Sequence, residues 1–183
     1  EFREYLDNNP TIRRSFEAQF ILGMRYVFTY GNLQQRKRRT NFFISESVDL
    51  AGNLASAITS LARGKTPDPD DPQRLLNVPY SQFVKLRNEI RFFVRPGKKD
   101  QIGIRLIAGG AIPYGNASTI PYVRQFFVGG TNSVRAFRAR TVGPGSYAPS
   151  DTVSSVYIDQ AGDIKIETSL EYRFPLHSFL KGA

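Results

Sequence analysis

Apolar and polar residues alternate with period two in five segments of the chain. In the first, residues 14–30, Phe16, Ala18, Phe20, Leu22, Met24, Tyr26, Phe28 and Tyr30 share one face. Ser15, Glu17, Gln19, Gly23, Arg25 and Thr29 share the other, with Ile21 and Val27 as exceptions. In the second, 40–51, Phe42, Ile44, Val48 and Leu50 oppose Ser45, Ser47 and Asp49, interrupted by Phe43 and Glu46. The third, 82–95, sets Val84, Leu86, Ile90, Phe92 and Val94 against Lys85, Arg87, Glu89, Arg91 and Arg95. The fourth, 101–112, sets Ile102, Ile104, Leu106 and Ala108 against Gly103, Arg105 and Gly109. The fifth, 163–176, sets Ile164, Ile166, Leu170, Tyr172, Phe174 and Leu176 against Lys165, Glu167, Ser169, Glu171 and Arg173. Successive side chains of a strand point to opposite faces, so the pattern predicts an all-β, antiparallel protein.

A soluble sheet with one buried face would alternate in the same way. Three features favour a transmembrane β-barrel instead. Several runs reach the roughly 9–11 residues that a tilted membrane strand needs. Aromatic residues gather near strand ends, as at Tyr26, Phe28, Tyr30, Tyr172 and Phe174, like the interfacial girdles of membrane barrels. Short links at 31–39 and 96–100 alternate with long ones at 52–81 and 113–162, the rhythm of periplasmic turns and extracellular loops. Within the first long loop, Leu54, Ile58 and Leu61 have helical spacing, with Asn53 placed to cap and Gly64 to terminate. Pro67, Pro69 and Pro72 then make the path irregular. A short amphipathic helix packed on the barrel rim is expected there. Five strands are too few to close a barrel, which takes at least about eight. The 183 residues are therefore expected to be part of a larger barrel, with further strands on both sides.

Mean hydropathy is −0.34, but alternation averages a membrane strand's hydrophobicity away. No stretch approaches the roughly 18 apolar residues of a membrane helix. The chain has no cysteine, which removes disulfides and thiolate metal sites. A net charge of +9 invites either nucleic acid or acidic lipid head groups. The basic run Gln35-Arg36-Lys37-Arg38-Arg39 reads more simply as a charged turn between strands, so no nucleic-acid partner is expected. Gly143-Pro144-Gly145 lacks the strand-to-helix setting of a phosphate loop. His177 and Ser178 are adjacent, so on a strand they point opposite ways and form no catalytic pair. No enzyme activity, metal or cofactor is expected.

The second long loop holds Phe126-Phe127-Val128-Gly129-Gly130-Thr131-Asn132-Ser133-Val134-Arg135-Ala136-Phe137. Two glycines followed by an arginine between apolar residues point to a loop tip folded inward, whose arginine needs a carboxylate. Val134-Arg135-Ala136-Phe137 resembles the Val-Arg-Gly-Phe/Tyr motif of the BamA/TamA superfamily of outer-membrane assembly factors, with Ala136 in the glycine position. Gly129-Gly130 is similar to that family's approach to the motif, and Leu170-Glu171-Tyr172-Arg173-Phe174-Pro175 to its following strand. The resemblance implies that the 113–162 loop enters the lumen and that Arg135 pairs with an acid on the inner wall. Glu171, on the polar face with Glu167 and Arg173, is the expected inner-wall partner of Arg135; Glu167 and Glu89 are rival acids, and Arg138 and Arg140 rival arginines.

The resemblance further implies roughly the eighth to twelfth of about sixteen strands, located in the bacterial outer membrane. The function it implies is insertion and folding of client β-barrel proteins, with accessory assembly lipoproteins and outer-membrane lipid as partners. Alternatives are a two-partner secretion pore of the same superfamily exporting one partner, a passive porin, and a soluble β-sheet binding protein.

Overall fold

The computed structural model describes residues 18–34, 38–97, 99–143 and 160–175. The expected strand segments 14–17 and 176, part of the basic run at 35–37, Pro144-Gly145 and His177-Ser178 lie outside them.

Five long antiparallel strands make one sheet: β1 (Gly23–Gly31), β2 (Thr40–Ala51), β5 (Phe83–Val94), β6 (Gln101–Pro113) and β7 (Ile164–Arg173), in the order β1-β2-β5-β6-β7. A two-residue hairpin pair, β3 (Arg74–Leu75) and β4 (Val78–Pro79), sits in the β2–β5 connection. The protein is thus all-β and antiparallel, and the sheet is open among the described residues. No described helix is long and apolar enough to cross a membrane.

Register turns the alternation into two surfaces. Rows such as Met24, Leu50, Val84 and Ile112, or Tyr30, Ile44, Ile90 and Leu106, run across the strands on one side. Many of these side chains are exposed, including Met24, Tyr26, Tyr30, Ile90, Ile104, Ile166 and Leu170. Such an expanse of uncovered apolar surface is foreign to a soluble monomer and is what a barrel presents to lipid. Glu46 and Asn88, paired across β2 and β5, interrupt it in one row. The opposite side carries Arg25, Asp49, Lys85, Arg87, Glu89, Arg91, Arg105, Lys165 and Glu167. In a transmembrane barrel the first surface faces lipid and the second the lumen.

Before Gly23 the chain leaves the β1 ladder although the alternation continues. Phe20 instead bridges Tyr80, with N–H donated to the Pro79 carbonyl at 2.9 Å, and Ile21 packs on the core. That small core is Ala51, Phe83, Ala111, Ile120 and Phe126, on the lumen side at the end bearing the long loops.

The helix α1 (Asn53–Arg63) departs from two expectations. Its cap is Gly52, in the left-handed region with φ 82°, and no side chain caps it. Asn53 is the first helical residue, and its Oδ1 accepts from the Tyr114 hydroxyl at 2.6 Å. Nor does α1 pack through Leu54, Ile58 and Leu61, all of which are exposed. It packs through Ala55 and Thr59, the latter within 3.2 Å of the buried Tyr80 hydroxyl. Gly64 ends the helix as expected, with φ 65° and its N–H donated to the Ser60 carbonyl.

The two-faced sheet makes a sharp stability contrast. Ile90→Arg, midway along the apolar face, should cost about 2–4 kcal/mol in a bilayer, while Ser169→Arg on the lumen face should cost under about 1 kcal/mol. Denaturant unfolding of the protein in lipid vesicles measures both.

Candidate functional site

After β6 the described part of the connection, as far as residue 143, lies on the charged face of the sheet and is held there at its root and at its tip. At the root, Phe126 inserts into the small core, and its backbone exchanges two hydrogen bonds with Gly162 at 2.8 and 2.9 Å. Gly109 makes the socket: a Cβ there would lie 2.6 Å from the Phe126 ring and 2.9 Å from the Leu86 carbonyl. Lys85 caps the same ring with its ammonium 3.9 Å from the centroid, and donates to the Arg124 carbonyl at 2.5 Å.

Gly129 and Gly130 both adopt positive φ, 98° and 86°. A Cβ on Gly129 would fall 2.3 Å from the Arg138 carbonyl, so the loop's two limbs approach closely only because that residue is glycine. The Gly130 N–H reaches the Phe137 carbonyl at 2.9 Å, and the Phe137 N–H closes a turn onto the Val134 carbonyl at 3.1 Å. Arg135 and Ala136 form the corner of that turn. Positive φ outside glycine occurs at Leu76, Asn77 and Arg140 among the described residues, so alanine fits the corner position where the family motif has glycine.

The tip is latched to the wall through Ser133 and Asn132. The Ser133 hydroxyl donates to Glu167 Oε2 at 2.5 Å, and Arg105 Nη1 donates to the Asn132 carbonyl at 2.7 Å. Lys165 binds Glu167 at 2.9 Å and the Phe127 carbonyl at 2.9 Å, tying the loop's approach to the same strand. Below the latch Glu89, 4% exposed, receives three guanidiniums: Arg87 at 2.7 Å, Arg91 at 2.6 Å and Arg105 at 2.9 Å. Arg105 therefore bridges the buried carboxylate to the loop backbone. Nearer β1, Arg25 clasps Asp49 with two bonds of 2.5 and 2.6 Å.

Arg135 and Glu171 line one open hollow of about 690 Å³ between loop and wall, together with Glu89, Arg105 and Ser133. The direct partner of Glu171 is Arg173, at 2.7 and 3.0 Å, and Arg135 faces the carboxylate from across the hollow. Val134 and Phe137 flank the tip and are exposed. Of the rival arginines, Arg140 lies over the rings of Tyr122 and Phe127, at 4.0 and 4.8 Å, so it braces the loop against itself. Arg135, Glu171 and Glu89 line this hollow, whereas Glu167 is held at the latch by Ser133 and Lys165. Sequence reading missed Ser133, Arg105 and the Phe126–Gly109 socket. Arg105 and Gly109 stood on the polar face of the fourth segment, so their orientation was legible; their loop partners were not. No group of three or more potential metal ligands occurs among the described residues.

A model of the Omp85 superfamily domain matches residues 77–183, which is more than half of the chain and includes β5, β6, β7 and the whole loop. No individual curated protein matches the chain.

Removing the latch should free the loop without unfolding the wall. Ser133→Ala is expected to cost about 1.5–3 kcal/mol of local stability, the range for a hydrogen bond to a charged group. A thiol label at Thr131→Cys should then react several-fold faster. Glu89→Gln, which strands three guanidiniums around a neutral amide, should lower global stability by a similar amount, read by thermal unfolding in detergent.

Proposed function

The chain belongs to the Omp85 superfamily, whose members insert or export proteins at the outer membrane, and we propose that it is wall and inward loop of an assembly factor that folds client β-barrel proteins into that membrane. The observation that carries the reading is the seating of the described part of the loop, 113–143: its arginine-bearing tip lies on the charged face of the sheet, latched by Ser133 to Glu167 and by Arg105 to Asn132. A passive porin would also carry a loop on its inner wall, and steady ion conductance of the intact protein is what would favour that reading instead.

The role of these residues is mechanical and electrostatic. Arg87, Arg91 and Arg105 clamp Glu89, which fixes the orientation of Arg105 toward the loop. Arg135 and Glu171 line the same hollow, where Arg173 holds the carboxylate by two hydrogen bonds. No catalytic group, cofactor or metal enters the proposal. Its partners are client barrels, outer-membrane lipid and accessory assembly lipoproteins. Export of one dedicated partner through the same barrel is the second reading, favoured by the same loop seating, and client range separates the two.

The test is reconstitution of the intact protein in vesicles with urea-unfolded outer-membrane barrels of unrelated sequence. An assembly factor accelerates the folding of several clients, followed by gel-shift of the folded form. Arg135→Ala should slow this about tenfold, equivalent to ~1.4 kcal/mol. Acceleration of none, with passage of a single secreted partner, would replace the assembly reading by the export reading.

A further inference from the structure

Helices of water-soluble proteins turn their apolar stripe inward and their polar face to solvent; α1 does the reverse. Its small and polar residues are the covered ones, Ala55 at 0% and Thr59 at 4% exposure, while Leu54 and Leu61 are 59% and 89% exposed and Ile58 lies between them on the same stripe. The neighbouring hairpin repeats the oddity. Leu76 stands at its tip with φ 51° and 83% exposed, next to Asn77 at φ 66°. A two-residue turn of this kind favours asparagine or glycine at both places, so a leucine is held in strained backbone with its side chain uncovered. Hairpin and helix belong to one unit, since Gln73 Nε2 donates to the Lys65 carbonyl just after the helix.

The position of α1 says what covers these side chains. Only Gly52 separates it from the end of β2, whose Leu50 lies on the apolar face of the sheet. Its first residue is bonded to Tyr114, one residue beyond β6, whose Ile112 lies on that same face and is exposed. At this end the apolar rows are aliphatic, as in Met24, Leu50, Val84 and Ile112, whereas Tyr30, Phe42, Phe92 and Tyr172 lie toward the short turns. The apolar surface thus reaches the loop end in aliphatic rows, with Tyr114 bonded to the start of the helix, and continues into the helix. Charge gives no other attraction: Arg63, Lys65 and Arg74 balance Asp68, Asp70 and Asp71 along the loop.

We propose that α1 and the β3–β4 hairpin form a membrane-binding surface, with Leu54, Ile58, Leu61 and Leu76 set among the acyl chains of the leaflet at the long-loop end of the barrel. The inference rests on the outer-membrane barrel reading and extends it to a loop. An interfacial helix of this kind buries its apolar face some 5–10 Å into the boundary between head groups and chains. It would hold the loop down on the lipid beside the wall and leave the lumen side clear.

The chain has no cysteine, so single-cysteine variants can carry an environment-sensitive fluorophore. Leu61→Cys reports on the helix, Ile104→Cys on the sheet wall and Asp70→Cys on the acidic stretch in water. In vesicles of phospholipid bearing a shallow nitroxide quencher, the label at 61 should be blue-shifted and quenched several-fold more than that at 70, and iodide should quench it several-fold less. If iodide quenches 61 and 70 alike while 104 stays lipid-quenched, the helix stands in water and the proposal falls with the barrel reading intact. If 104 also loses lipid quenching, the barrel reading itself has failed. A label at 61 shielded from both quenchers means a protein neighbour covers the stripe, which also overturns the proposal. Leu61→Asp, checked for the heat-sensitive gel mobility of a folded barrel, should keep the fold and lose lipid contact at a second label on Leu54→Cys.

Discussion

Charge in this sheet is gathered on one face, with Glu46 the exception on the other, and the buried carboxylate of Glu89 is where that constraint is tightest. Three arginines from two strands converge on it, all within 2.9 Å. A lone guanidinium among apolar strands would be costly, and a lone carboxylate equally so. Gathered on one side, they satisfy one another and leave the other side free to meet hydrocarbon. A one-residue slip in any strand would turn its charged set toward lipid, so the ion network and the strand register enforce each other. Arg105 carries that order outward, since the guanidinium that meets Glu89 also donates to the loop at Asn132.

The loop has two kinds of anchor, and they differ in how far they fix direction. Burying the Phe126 ring in the Gly109 socket contributes about 1.5–3 kcal/mol by removing apolar surface from water, with little directional demand. The latch at Ser133 and Glu167 fixes orientation, because a hydroxyl and a carboxylate must meet at a set angle. A permissive root and a directional tip hold the segment to the wall at two points. Beside the tip, Arg135 and Glu171 line the open hollow, with Arg173 as the direct partner of the acid.

Much of this was legible in the sequence because period two fixes which side of a strand each residue takes. Glu167, Glu171 and Glu89 could be put on one face from alternation alone; Glu171 and Glu89 then line the hollow, and Glu167 holds the latch. Glycine at 129 was legible too, as a position where the chain must double back. What escaped was anything requiring a partner distant in sequence with no periodic mark. Ser133 is one polar residue among several in a loop, and nothing local says that it, before Arg135, reaches the wall. The helix misled for a related reason. Spacing shows that Leu54, Ile58 and Leu61 form a stripe, but a stripe does not say whether protein or lipid lies against it, and Asn53 was read as a cap because asparagine so often is one.

Glu46 and Asn88 set a limit on how far two-sidedness extends. They face each other on the apolar side, in the row with Phe28 and Ala108, and Asn88 Oδ1 has no hydrogen-bond partner. In hydrocarbon an unpaired amide oxygen is expensive, yet a carboxylate on a barrel's lipid face costs less than a lysine or arginine there. The sheet around the pair is large enough to absorb that cost, with apolar rows on both sides of it. Its stability comes from the sum of those rows and from the charged face behind them, so one imperfect row is tolerated where a break at Glu89 would not be.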